Sequence, residues 1–158
     1  MLNNEVFSHY TNGADLQVLA DRLNDDLVVV SCTQTSGAYA GAVVDIALDV
    51  YATKNLATAI LCNELAESAE ARRASHNFEM GSQIPTPLPV YEFVSEDGCE
   101  LRIYHCGTKA WAVALRNSDL EMSVTLNHKE FRRWGHSLDF AVGAWVANRY
   151  AAFCTRPA

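Results

Sequence analysis

The 158-residue chain contains no long hydrophobic run. Asp45, Asp49, Lys54 and Asn55 interrupt its apolar stretches, so no segment reaches the ~20 residues of a transmembrane helix, and no membrane partner is expected. Basic charge is scarce: 12 Lys and Arg stand against 19 Asp and Glu, for a formal net charge of -7. That balance argues against direct binding of duplex DNA, which usually needs a basic footprint. The segment MLNNEVFSHYTN has neither the basic nor the apolar region of a signal peptide. The five cysteines (Cys32, Cys62, Cys99, Cys106 and Cys154) form no CxxC pair and match no zinc-site spacing. Free thiols in a reducing, cytoplasmic setting are therefore expected. The sequence also lacks the glycine-rich phosphate loops, GxSxG, HExxH and the kinase set. No catalytic residue, cofactor or metal is assigned, and the oligomeric state is left open.

What the chain does have is a globular composition, 49% apolar and 20% charged. That suits one α+β domain able to bury a core without disulfide or metal. Leu16, Leu19, Ala20 and Leu23 lie at helical spacing behind the Asn12 cap and predict a helix over 13–24. The β-branched run 27–33 predicts one buried strand. Tyr39, Val43, Ile46 and Val50, beside Val44, Leu48 and Tyr51, predict a central helix capped by Ser36. A break at residues 53–55 and a third helix to about residue 74 would complete a helical half, 1–75. Residues 76–89, with Gly81, Pro85, Pro87 and Pro89, read as an extended linker. No internal repeat stands out.

The remainder, 90–154, predicts a four-stranded antiparallel meander over 90–95, 99–105, 110–116 and 120–126, each strand alternating core and solvent positions. A long helix then follows. Asn127 and Glu130 make a near capping box, Leu126 and Phe131 a hydrophobic staple. Phe131, Trp134, Leu138, Ala141, Trp145 and Ala152 form one stripe, so this helix should run to about Phe153 and pack on the sheet.

Candidate sites come from charge and from small residues. Charge is segregated: residues 1–78 sum to -6, residues 79–126 to -4 and residues 127–158 to +3. Glu64, Glu67 and Glu70 recur at i, i+3 and i+6 on a helix segment with little apolar material, and suit a basic partner. Arg132 and Arg133, with His128 and His136, give the last helix a basic start. A second set is Thr35, Ser36 and Gly37, read as a turn into a helix N-terminus, with Asp45 and Asp49 at i and i+4 in a groove of small residues on that helix. His105 and Cys106 are adjacent on a strand and point to opposite faces, so they form no nucleophile–base pair.

The function expected is that of a non-enzymatic, acidic cytoplasmic interaction protein, an inhibitor, adaptor or immunity-type binder. Its partner would be another protein or a protein–nucleic acid complex, met through charged surface. The alternative is a small-molecule-binding domain or enzyme using the 33–37 turn and the Asp45/Asp49 groove.

Overall fold

The structure, a computed structural model, describes residues 5–11, 13–20, 27–65, 67, 89–106 and 110–154. It holds two antiparallel four-stranded meanders, each followed by a helix. The first unit is β1 (Glu5–Thr11), β2 (Ala14–Ala20), β3 (Leu27–Gln34), β4 (Val43–Asp49) and α1 (Val50–Leu61). The second is β5 (Tyr91–Val94), β6 (Glu100–Cys106), β7 (Ala110–Arg116), β8 (Glu121–Asn127) and α2 (His128–Cys154). The fold is thus α+β, but the N-terminal half opens with a sheet rather than with helices, and among the described residues the order of four strands and a helix occurs twice. No described helix is long and apolar enough to cross a membrane.

The first half corrects two helix predictions and one predicted break. Residues 14–20 form β2, where Ala14, Leu16 and Val18 are buried in alternation with half-buried Asp15, Gln17 and Leu19. Gly13, at φ +84, turns β1 back into β2. Residues 35–42 form the exposed β3–β4 hairpin loop, with Gly37 at φ +86 and Gly41 at φ +90, values that a right-handed helix does not admit. Val43–Asp49 is a strand with strictly alternating burial: Val44, Ile46 and Leu48 inward, Val43, Asp45, Ala47 and Asp49 outward. Helix begins only at Val50, capped by Asp49, whose Oδ1 accepts from the Ala52 N–H at 2.6 Å. Thr53, Lys54 and Asn55 lie inside α1 instead of breaking it, and the buried Thr53 hydroxyl donates to the Asp49 carbonyl at 2.8 Å. The chain leaves α1 through left-handed Asn63 (φ 60). The proposed linker, apart from Pro89, lies outside the described residues.

The run 27–33 is a strand as predicted, but it belongs to the first sheet and not to the meander that follows. In the second half, all four strands form at the expected places. Asn127 and Glu130 form the reciprocal capping box: the Asn127 N–H donates to Glu130 Oε1 at 3.0 Å, and the Glu130 N–H to Asn127 Oδ1 at 2.8 Å.

One apolar cluster joins both units: Leu16, Val18, Val28 and Val30 from the first sheet, Leu101, Ile103, Val113 and Leu126 from the second, with Leu56 and Ile60 of α1 and Trp134 and Leu138 of α2. α2 lies against β1–β3 as well as β7 and β8, and runs beside α1. Its packing on the first sheet is the feature that the expected layout missed. At the crossing of the helices, Gly135 lets Ile60 in: a Cβ there would sit 2.6 Å from Ile60 Cγ2. Trp111 stacks on Phe131 at 4.2 Å between centroids, tying the second sheet to α2.

Candidate functional site: the open face of the first sheet

Because α2 covers one face of β1–β3, the opposite face of that sheet is turned away from the helices. Strand pairing sets its composition. Asp15 lies opposite both Tyr10 of β1 and Thr33 of β3, and Thr33 in turn opposite Val43 of β4, so Tyr10, Asp15, Thr33 and Val43 form one row across the sheet. The next row is Ser8, Gln17, Ser31 and Asp45, and beyond it come Leu19, Val29 and Ala47. Asp49 closes β4 on the same face. Tyr10 is 62% exposed and Val43 45% exposed, whereas Ser31 is buried in the middle. Ser8 Oγ donates to Asp15 Oδ1 at 2.9 Å and fixes that carboxylate.

The face therefore carries three carboxylates, Asp15, Asp45 and Asp49, beside exposed Tyr10 and Val43. Its described side chains include no Lys or Arg. On the other side of the sheet, Cys32 is buried and its thiol is pushed up to about 11, first by burial and then by the Asp15 carboxylate, so it stays protonated and inert at neutral pH. Cys32, Cys62, Cys99 and Cys106 are all free.

Of the residues singled out in the sequence, Asp45 and Asp49 do share a face, but on a strand, about 13 Å apart at ~3.3 Å per residue. The helix groove proposed for them is not formed. Thr35, Ser36 and Gly37 sit in the hairpin loop at the Tyr10–Val43 end of the same sheet, with no helix N-terminus there. The Thr35 N–H is used by the Gly13 carbonyl at 2.7 Å, and Ser36 Oγ fills the space beside Gly13. Tyr39 tops this loop, 68% exposed. Glu64 and Glu67 are exposed just beyond α1, away from the face, and Glu70 lies outside the described residues.

The two arginines serve packing as well as charge. Arg132 donates to the Leu61 carbonyl at 3.3 Å and to Asn63 Oδ1 at 3.2 Å, closing the end of α1. The Arg133 guanidinium lies 5.9 Å from the Phe7 ring centroid. Glu130 reaches back from α2 to His9 of β1, Oε2 to Nε2, at 2.9 Å. Among the described residues, no group of three or more His, Cys, Asp or Glu side chains is placed to hold a metal ion.

Tyr10, Asp15, Tyr39 and Val43 were not picked out as candidates from the sequence. The usable signal was the alternation of Val44, Asp45, Ile46, Ala47, Leu48 and Asp49, which puts the carboxylates on one face and the aliphatics on the other. No protein-family model matches the chain, and no curated protein shows significant similarity to it.

Proposed function

We propose that the protein is a non-enzymatic interaction protein that engages a basic region of another macromolecule through the open face of its first sheet. The observation that carries this reading is that Asp15, Asp45 and Asp49 share one strand face with exposed Tyr10 and Val43. Such a face combines the two ingredients of a binding surface, apolar anchors and charge of one sign. The anchors supply most of the affinity and the charge supplies steering and selectivity. Aromatic Tyr39 at the hairpin tip extends the same edge.

The test is an NMR titration of the full chain with a synthetic Lys- and Arg-rich peptide containing leucines. Amide shifts should concentrate on residues 8–17 and 31–47 and shrink at high salt. Asp15→Asn with Asp45→Asn should weaken binding by about tenfold. Asp49 is left intact because it caps α1. Shifts confined to Glu64 and Glu67 would move the site to the end of α1, and no salt-sensitive shifts anywhere would overturn the reading.

A further inference from the structure

The exposed side of α2 carries a second, oppositely charged surface. Lys129, Arg133, His136 and Phe140 lie at i, i+4, i+7 and i+11, all exposed and on one helix face, opposite the buried Phe131, Trp134, Leu138 and Ala141. The acids nearby are turned elsewhere. Glu130 is held by His9 and by the Asn127 N–H, and Asp139 pairs with Lys54 of α1 at 3.0 Å. No ion pair among the described residues involves Lys129 or Arg133. Phe140, at the end of this line, is 65% exposed. The result is a basic line ending in one apolar ring, on a protein whose formal net charge is -7.

This line and the open sheet face complement each other in sign and in kind, with Lys129 and Arg133 against Asp15 and Asp45, and Phe140 against Tyr10 at the β1 edge. They also match in extent. Lys129 to Phe140 spans about 16 Å at 1.5 Å per residue, while the sheet face is about 14 Å across four strands. They lie on opposite sides of one molecule, since α2 rests on the reverse of the sheet that presents the open face, and they cannot meet within a single chain. We propose that the partner of the open face is a second copy of this chain, which presents its α2 line, in a head-to-tail contact. Such a contact is heterologous, and because each copy keeps one free surface of each kind, it propagates instead of closing as a two-fold dimer. The inference rests on the reading that the open face is a binding surface, and names its partner.

Net charge opposes self-association while local charge favours it, and salt separates the two. At about 0.1 M the Debye length of ~10 Å screens repulsion across the molecule but leaves contact pairs largely intact; at about 1 M it is ~3 Å and weakens both. Sedimentation velocity on the full chain should show the average mass rising above 17.4 kDa with concentration at the lower salt and returning towards it at the higher.

Two neutralised variants give the decisive arm. Lys129→Gln with Arg133→Gln removes the basic line, and Asp15→Asn with Asp45→Asn removes the acidic face. Each alone should associate about tenfold more weakly than the parent. Mixed, they retain one intact surface each and should form a 1:1 pair and nothing larger. Circular dichroism should show both variants folded. A parent chain that stays at 17.4 kDa at every concentration overturns the second copy as partner. If the basic peptide still shifts the open face in that case, the interaction reading survives; if it does not, both fail. Association that neither variant weakens, or a mixture that forms no pair, also overturns the proposal.

Discussion

Gly135 shows how much a single missing Cβ matters. Glycine inside a helix is about 1 kcal/mol worse than alanine, so Gly135→Ala would help an isolated α2. In the folded chain the new carbon would meet Ile60 Cγ2 at 2.6 Å and Leu61 Cδ2 at 3.3 Å. We expect Gly135→Ala to destabilise by about 1–3 kcal/mol in urea unfolding. Combined with Ile60→Ala, it should cost clearly less than the two single changes added, because the clashing methyl is then absent. Cys32 gives a second measurement. Its thiol ionises near 9.0 when unfolded and near 11 when folded, so folding is favoured fully below about pH 9. That contribution, of order 2–3 kcal/mol, is lost as pH rises towards 11. Cys32→Ser or Cys32→Ala should flatten this alkaline loss, and a thiol reagent at neutral pH should label exposed Cys62 and Cys106 without reaching Cys32. Asp97 works in the opposite direction. The Ser95 hydroxyl, and then the Cys99 N–H, hold its carboxylate below the usual range, so the β5–β6 turn keeps this support above that range and loses it only as acid protonates Asp97.

Among the secondary elements, the start of α2 carries several duties at once. Glu130 accepts from the Asn127 N–H and pairs with His9, so one side chain caps the helix and ties it to β1. Glu130→Ala should cost about 1–2 kcal/mol, and Glu130→Gln less, because the amide oxygen keeps the cap. Chemical denaturation distinguishes the two. One turn on, Trp134 is fully buried and packs near Phe131, with ring centroids 6.0 Å apart. Trp134→Ala should cost about 3–5 kcal/mol. Trp145 is only half-buried, so truncating it should cost distinctly less, contrary to the equal effect that the shared stripe suggests.

Across the whole molecule, a core that mixes residues of both ββββα units predicts unfolding as one cooperative event. All three tryptophans (Trp111, Trp134 and Trp145) belong to the second unit, whereas Leu16 sits in the first sheet, fully buried. Leu16→Ala should therefore shift the tryptophan-fluorescence transition and the far-ultraviolet transition together, by about 2–5 kcal/mol. A fluorescence midpoint that ignores Leu16→Ala would show two independently stable units.

Local pattern sufficed wherever one periodicity stood alone. The meander 90–126 alternates strand by strand, with hairpin signals between, and α2 carries its own cap, staple and apolar stripe, so both were legible from the residues. In the first unit two periodicities overlap. Leu16, Leu19 and Leu23 fit a helix, while Leu16 and Val18 fit a strand; Tyr39, Val43 and Ile46 fit a helix, while Val44, Ile46 and Leu48 fit a strand. Only pairing with β3 separates them, since an isolated strand satisfies none of the hydrogen bonds that a neighbouring strand supplies, whereas a helix satisfies its own. The same pairing decided the candidate site. Asp45 and Asp49 were visible as acids one face apart from the aliphatics, but Tyr10 and Asp15 join them only through the register of four strands distant in sequence. Which side of that sheet stays open was settled by α2, more than a hundred residues away from β2, because its packing against β1–β3 removes one face from water and leaves the other to carry charge.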